Sequence, residues 1–340
     1  MREVAAAVGL AEGEAGVRDV ALAVARLEPV PTRALSRATG LPVPIVAAVC
    51  GELRRRGVLG WERPSRLSAR GRELFGAGGE PRDCGCPGCG GHGLALPAQL
   101  DAARRELERI AAEAPPARTE LDQTHCTVDT KVRRVLALHQ AGALAGRSLL
   151  LLGDDDLASL AIPRVAAALA LGGPRSVTVV DVDPAVLAFV RRRLGRPGFP
   201  VDLVEHDLRA PLPARLIGAF DTVFADPPYT LAGAELFLAR AAEAVVSGGS
   251  VFLAFPPKRP AEALRLQQTL VALGFATRSL RRGFNAYRAA GILGGVSDLH
   301  QLVAVAPTSA EPDGARLYTG EARPPRPYRC ASCRSVQPVG

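Results

Sequence analysis

The 340-residue chain has no uninterrupted apolar stretch near the roughly 18 residues a helix needs to span a bilayer, although 48% of its residues are hydrophobic. Its first residues, MREVAAAVGLAEGE, lack the basic-then-apolar pattern of a secretory signal. These absences lead to the expectation of a soluble, cytoplasmic protein with no membrane partner. Lysine is almost missing: Lys131 and Lys258 stand alone, so the net charge of +8 rests on arginine. That bias, beside abundant Ala, Gly and Pro, reads as GC-rich coding. Charge is then a weak pointer to partners, and nucleic acid is not expected as one. Disulfides are not the first expectation either. The seven cysteines point to metal ligands or free thiols, with thermophile proteins the exception. The length allows two or three domains of roughly 100 to 200 residues each.

Glycine is sparse where a phosphate-binding turn would need it. Over 148–156 the sequence reads SLLLLGDDD, an apolar run ended by Gly153 and three consecutive aspartates, Asp154, Asp155 and Asp156. A short, wholly apolar run bounded by a turn signal predicts a strand covered on both faces, the first of a parallel sheet. In doubly wound sheets the ligand lies beyond the carboxyl ends of such strands. A phosphate there needs several glycines and free helix N–H groups. Carboxylates point to a cationic ligand instead. One of the three aspartates reads as the N-cap of the following helix, but three exceed what capping requires.

The chain before this strand divides where composition changes. Within 1–75, Val17, Val20, Ala21, Val24 and Leu27 are spaced as one face of a helix, and Thr32 and Gly40 bound a second. Pro44 opens a third, with Ile45, Val49 and Leu53 on one face and Arg54, Arg55 and Arg56 at its end, where cations suit the helix dipole. The stretches 58–61 and 66–68, joined by ERPS, read as a two-stranded wing. Together these resemble a winged helix-turn-helix domain, a module that either binds DNA through its third helix or serves as a dimerisation or lid domain. A homodimer through these domains is the expected assembly.

Residues 76–116 form a Cys-rich linker and a connecting helix with Leu100, Ala103, Leu107 and Ile110 on one face. Cys86 and Cys89 fit a tight turn that presents two thiolates to one metal ion, and Cys330 and Cys333 in the tail, 311–340, can complete a tetrahedral site. Cys84 and His92 are substitute ligands. The expectation is a structural zinc or iron closed to chemistry, with disulfides or unliganded thiols as the alternative.

Between 117 and 310, apolar strands at 148–152, 176–180, 201–205, 220–225, 250–255 and 299–305 alternate with helical patterns, one of them, 158–171, interrupted by Pro163. That alternation predicts a single doubly wound, Rossmann-like parallel α/β sheet. Asp122 and Gln123 precede it and read as loop residues in preference to pocket lining. Asp181 and Asp183 follow the second strand, where an acid accepts hydrogen bonds from ribose hydroxyls. Asp207 follows the third strand, within reach of an adenine amino group. The fourth runs into Asp226, Pro227, Pro228 and Tyr229.

This order of acids, with DPPY after the fourth strand, resembles the S-adenosylmethionine-dependent methyltransferase fold. The first loop departs from that family, which has acid-x-Gly-x-Gly-x-Gly where this chain has GDDD. The donor's carboxylate would be repelled by three aspartates, whereas decarboxylated S-adenosylmethionine keeps the sulfonium and ammonium and lacks that carboxylate. With the winged N-terminal domain, the segments CPGCGGHG, LLLGDDDLASLAI, VVDVDP, HDLRAPLP and FADPPYTLAGAELFL resemble the branched-chain polyamine synthase family, the N4-bis(aminopropyl)spermidine synthases, across nearly the whole chain.

The resemblance implies transfer of aminopropyl groups from decarboxylated S-adenosylmethionine to the internal secondary amine of spermidine, with methylthioadenosine released. Spermidine and related polyamines are then the partners. One of Asp154, Asp155 and Asp156, together with Asp226, would anchor ammonium groups and accept the proton. Anchoring suits Asp154, because a helix N-terminus stabilises the charged form and makes a poor base. Tyr229 would pack on the acceptor or offer a cation-π face. Asp181 and Asp183 would hold the ribose and Asp207 the adenine, with Gly153, Pro227 and Pro228 also against the donor. Phe284, Asn285 and Tyr287 read as either a gate or a loop packed on the sheet edge. Two alternatives stand beside this reading: a nucleic-acid amino-group methyltransferase of the DPPY type, and a metal-dependent transcription regulator with a degenerate sheet.

Overall fold

The computed structural model describes residues 1–75, 94–288, 295–308 and 317–318, and the backbone of 328–329 and 336–337. The first 75 residues carry an apolar core of their own, built from α1 (Arg2–Val8), α2 (Gly13–Leu27), α3 (Thr32–Thr39), α4 (Val43–Arg55) and α5 (Ala69–Phe75). The buried stripe of α2 is Val17, Val20, Ala21 and Val24, the three-and-four spacing of one helical face. Gly40 ends α3 in the left-handed region at φ 73°. Two helices were not foreseen, α1 and α5. The expected two-stranded wing is reduced to isolated bridges, Val30 with Ser65 and Leu59 with Leu67. Beneath it Arg54 is buried and donates to Ser65 Oγ at 2.7 Å and to the Gly60 carbonyl at 3.1 Å. Side-chain bonds to an arginine replace part of the strand ladder there.

Two helices lead into the sheet, α6 (Asp101–Ala112), which buries Ala103, Leu107 and Ile110, and α7 (Val128–Gln140). The sheet then alternates with helices: β1 (Ser148–Leu152), α8 (Ala158–Ala168), β2 (Ser176–Asp181), α9 (Pro184–Arg193), β3 (Val201–Glu205), β4 (Phe220–Ala225), α10 (Leu231–Ala244), β5 (Val245–Phe255), α11 (Pro260–Ala272), β6 (Phe275–Ala286) and β7 (Val296–Ala304). A separate pair of short strands, β8 (Tyr328–Arg329) and β9 (Val336–Gln337), is antiparallel. In the seven-stranded sheet the order is β3-β2-β1-β4-β5-β7-β6.

The wholly parallel sheet expected from the sequence is corrected to a mixed one. β1 to β5 are parallel, whereas β7 lies antiparallel between β5 and β6. The connection from β6 to β7 is too short for the crossover a parallel pair requires. β6 itself was not foreseen, because FATRSLRRGFNA is an edge strand whose arginines and bulges hide its alternation. Helix α8 is not interrupted at Pro163; it continues to Ala168 without the single bond a proline nitrogen cannot donate.

All five residues of β1 are buried, and they alternate between two cores. Leu150 and Leu152 pack on the α10 and α11 face, Leu149 and Leu151 on the α7 and α8 face. A polar loop is thereby fixed at the rigid centre of the sheet, at the crevice between β1 and β4 where chain order reverses. The N-terminal module abuts the sheet: a Cβ placed on Gly40 would come within 3.1 Å of Pro257, in the loop after β5.

Gly274 joins α11 to β6 at φ 77°, and a Cβ there would overlap the Ala306 carbonyl oxygen. Gly274→Ala is therefore expected to cost about 2–4 kcal/mol, left-handed strain and overpacking together. Gly146→Ala, at φ 67° with nothing within 4 Å, should show only the strain, about 1–2 kcal/mol. Urea unfolding of both variants checks this, and equal losses would refute the packing argument.

Candidate active site

The cleft lies beyond the carboxyl ends of β1, β2 and β4 and contains about 740 Å³ of space, part of it open to solvent, within the size range of small-molecule sites. Among the described lining residues five are carboxylates, Asp122, Asp155, Asp181, Asp207 and Asp226, and none is Lys or Arg. A cleft of that composition suits a polycation.

The GDDD loop gives its three aspartates three environments. Gly153, at φ 74°, donates its N–H to the Val180 carbonyl at 2.8 Å and lines the cleft. Asp154 is buried and turned away from it. Its carboxylate accepts from the Ser159 N–H at 3.2 Å and from the Ser159 hydroxyl, both in the first turn of α8. Burial pushes this carboxyl up to about 7. The anchoring role expected of Asp154 does not fit this placement: its carboxylate is taken up by Ser159, the second residue of α8, whose N-cap is Leu157. Asp155 reaches the cleft, with Oδ2 accepting from the Thr124 N–H at 3.2 Å. Burial, then its neighbours Asp156 and Asp226, raise its carboxyl well above the ordinary value.

Asp156 is buried and absent from the lining. It accepts from the Cys126 N–H, and Arg134 Nη1 donates to its Oδ2 at 2.7 Å. Lys131 Nζ stands 3.7 Å from Oδ1 and donates to the Asp156 carbonyl. Burial opposes its ionisation, but Arg134 and Lys131 outweigh burial and hold the carboxyl below the usual range. His125 and the carboxylates of Asp155 and Asp156 converge. Both ring nitrogens of His125 nonetheless face carbonyl oxygens, of Asp155 at 2.9 Å and Pro115 at 3.0 Å, and whichever carries the proton donates to its carbonyl.

At the end of β4, Asp226 Oδ2 accepts from Arg134 Nη2 at 2.6 Å and from the Tyr287 hydroxyl at 2.9 Å. Burial raises its carboxyl to about 7; Asp156 adds to the rise while Arg134 offsets it. Pro227, Pro228 and Tyr229 complete this wall. The Tyr229 ring meets Phe255 and Tyr287 edge-on, with centroids 6.3 and 5.8 Å apart. Its carbonyl accepts from Lys258 Nζ at 2.5 Å, and Lys258 sits 4.9 Å over the Phe255 ring. Gly233 lets α10 start close under this turn, since a Cβ there would meet the Pro228 carbonyl at 2.7 Å.

The two acids after β2 also part company. Asp181 lines the cleft and accepts from the N–H groups of Asp154 and Asp183, each at 2.8 Å. Asp183, expected beside it at the ribose, caps α9 through the Ala185 N–H at 2.9 Å and accepts from Gln123 Nε2 at 3.1 Å. That second contact draws the 118–124 loop inward. Asp122, Gln123 and Thr124 therefore line the cleft, contrary to the preference for a plain loop. Asp207 is at the mouth, gripped by Arg209, which holds its carboxyl below the ordinary value.

The gate reading of 284–287 is corrected as well. Phe284 and Asn285 are fully buried parts of β6, and Tyr287 is wall. Lys131 and Arg134, one turn apart on α7, were missed; two cations on a helix face otherwise buried among Val128, Val132 and Val135 were the signal. Leu317 and Tyr318, also missed, line the cleft from the tail. The expected metal ligands Cys86, Cys89, Cys330 and Cys333, with Cys84 and His92, lie outside the described residues. The described cysteines, Cys50 and Cys126, are free and buried.

Comparisons with known proteins agree over most of the chain. Residues 102–314 match the family described as the branched-chain polyamine synthase A C-terminal domain. An uncharacterized protein of Methanocaldococcus jannaschii is 30% identical over 351 aligned residues, spanning 100% of this chain and 87% of that protein. The N(4)-bis(aminopropyl)spermidine synthase of Thermus thermophilus is 34% identical over 256, covering 74% of this chain and 71% of the relative. Among solved structures, the branched-chain polyamine synthase of Thermus thermophilus in complex with N4-aminopropylspermidine and 5'-methylthioadenosine superposes with a TM-score of 0.74 at 27% identity, over 94% of this chain and 96% of that one.

The raised carboxyl of Asp226 makes a prediction about stability. An acid that titrates at about 7 when folded and at about 3.9 when unfolded favours folding fully below the unfolded value. That contribution is lost as pH rises through the folded value. Asp226→Asn removes the effect, so its stability relative to the parent should increase between about pH 5 and about pH 8. A difference in denaturant midpoint that stays constant over this range would contradict the assignment.

Proposed function

The chain belongs to the branched-chain polyamine synthase family, and from that premise we propose that its cleft transfers aminopropyl groups from decarboxylated S-adenosylmethionine to the internal secondary amine of spermidine. The observation that carries this reading is the wall of five carboxylates with no cationic side chain among the described lining residues. Spermidine is a polycation, and the decarboxylated donor presents a sulfonium and an ammonium without a carboxylate for these groups to repel. The same repulsion disfavours a nucleic-acid methyltransferase using the intact donor.

In the reaction the lone pair of the internal nitrogen attacks the propyl carbon bonded to sulfur. A C–N bond forms, the C–S bond breaks, and the electron pair leaves with sulfur as neutral methylthioadenosine. The new ammonium then gives up its proton, which yields N4-aminopropylspermidine. A second transfer to the tertiary nitrogen gives the quaternary N4-bis(aminopropyl)spermidine. Sulfonium is already a good leaving group, so the enzyme's tasks are alignment and an unprotonated nucleophile.

Within this reading Asp226 is the base, because its carboxyl titrates near neutrality and one wall of the cleft is its own loop. Asp155 binds ammonium groups. Asp181 takes the ribose and Asp207 the adenine, with Gly153, Pro227 and Pro228 against the donor and Tyr229 against the acceptor. We also propose that 1–75 is a winged-helix module that pairs two copies of the chain. A structural zinc or iron at the four cysteines and a cytoplasmic location are proposals that rest on the sequence.

Mass spectrometry of protein incubated with spermidine and either donor tests the activity. Mass gains of one and two aminopropyl units are expected with the decarboxylated donor alone. Methyl transfer to nucleic acid with the intact donor would overturn the reading. Asp155→Asn should lower turnover about 100-fold or more, from lost alignment of the acceptor; full activity would remove Asp155 from the site.

A further inference from the structure

Asp226 is held from behind by a closed ring of side chains. Arg134 Nη2 donates to its Oδ2 at 2.6 Å, and Arg134 Nε donates to Asn285 Oδ1 at 2.8 Å. Asn285 Nδ2 donates to Ser297 Oγ at 3.0 Å, Ser297 Oγ lies 3.0 Å from the Tyr287 hydroxyl, and that hydroxyl donates to Asp226 Oδ2 at 2.9 Å. Tyr287 has one proton, and it goes to Asp226. Ser297 must then donate to Tyr287, and each bond in the ring has a fixed direction. Arg134 also donates to the Tyr287 oxygen at 3.1 Å. Asn285 and Ser297 are fully buried, so water cannot replace a missing member.

The backbone around Tyr287 is pinned too. Its N–H donates to the Gly295 carbonyl at 2.8 Å, the Thr127 N–H donates to the Ala286 carbonyl at 2.8 Å, and the Ala286 N–H donates to Thr130 Oγ1 at 2.9 Å. The hydroxyl is therefore a fixed point to which a carboxylate can be referred.

We propose that Tyr287 is a positioning residue for aminopropyl transfer: with Arg134 it binds one oxygen of Asp226 and so fixes the direction from which the other meets the acceptor amine. The inference rests on the aminopropyl-transfer reading of the cleft. Both donors meet Oδ2, and a carboxylate held at one oxygen by two converging donors cannot turn about its Cβ–Cγ bond without breaking both. The charged and titratable groups around Asp226 are Arg134 from α7, Asp155 and Asp156 from the loop after β1, Tyr287 after β6, and Tyr229 from its own loop. Of these, Tyr287 supplies a neutral donor, which favours the ionised carboxylate without cancelling the negative charge that attracts substrate.

The test is Tyr287→Phe, which keeps the ring's packing and removes the hydroxyl. At neutral pH kcat should fall about 10- to 100-fold with KM for spermidine changed by less than about threefold, and the acid limb of the kcat profile should move up by about one unit, since a lost donor weakens the carboxylate form. On the Asp226→Asn background the same change should alter kcat by less than about twofold, because the two act as a unit. An unmoved acid limb, or an equal loss on the parent and Asp226→Asn backgrounds alike, would overturn the proposal. Ser297→Ala is the second variant: it leaves Tyr287 intact, removes the proton donated to it, and takes one acceptor from Asn285 Nδ2, which keeps its bond to the Asp298 carbonyl at 3.2 Å. It should shift the limb in the same direction by a smaller amount, and an unmoved limb with native-like melting would again overturn the proposal. Absence of aminopropyl transfer in the unsubstituted protein would refute the activity itself, an outcome separate from an active Tyr287→Phe.

Discussion

A guanidinium buried to 2% exposure between two carboxylates is the contact on which the rest of the site depends. Arg134 bonds Asp156 at 2.7 Å and Asp226 at 2.6 Å, and lies 5.0 Å over the Phe224 ring. It joins α7, the loop after β1, the end of β4 and the end of β6, four elements far apart in sequence. Burying a cation in a cleft for cations has an electrostatic reason. Asp155, Asp156 and Asp226 interact with one another, and three desolvated carboxylates would retain protons. Lys131 and Arg134 behind them hold Asp156 ionised and offset the rise at Asp226, while Asp155 stays raised by burial and its acidic neighbours. Breaking such a pair leaves a charge stranded in the interior, a loss of about 3–5 kcal/mol, so the arrangement is both stable and hard to vary.

The same side chain serves different ends along the GDDD loop because the turn aims its members differently. Asp154 points at Ser159, Asp155 at the cleft, Asp156 at Arg134. Asp181 and Asp183 divide in the same way, one toward the cleft and one onto the N-terminus of α9. Sequence reading placed both clusters after the ends of their strands, where the structure has them, since a polar turn after a buried strand is a strong local signal. It did not resolve the individual residues. Side-chain direction in a turn follows from partners such as Ser159, Arg134 and Gln123, which are brought there by tertiary structure.

The fold was legible to a similar depth. The central parallel strands β1, β2 and β4 announce themselves as mostly apolar runs because both of their faces are covered, whereas β3, VDLVE, is a half-exposed edge strand. β6 does not, because an edge strand carries exposed arginines and shifts register twice. Lys131 and Arg134 were hidden for the opposite reason. On a helix, a cation followed three residues later by another normally means a solvated face, and only burial on both sides turns it into part of a site. Asp122 was hidden by its conformation: a non-glycine residue at φ 54° is set by the loop's tertiary contacts.

Two successive transfers place unequal demands on the cleft. In the first, a secondary nitrogen becomes an ammonium bearing a proton, and a base must take it before the product can react again. In the second, the tertiary nitrogen becomes quaternary and has no proton to lose. On the proposed role of Asp226 as base, that requirement is concentrated in the first round, along with the unprotonated state of the entering amine. The second round needs space beside the same nitrogen and a lone pair still aimed at the sulfonium carbon. In the proposed reaction a carboxylate fixed from behind by Arg134 and Tyr287 would meet both needs: it would take a proton when one is released, and otherwise remain as a counter-charge that holds a branched cation in line.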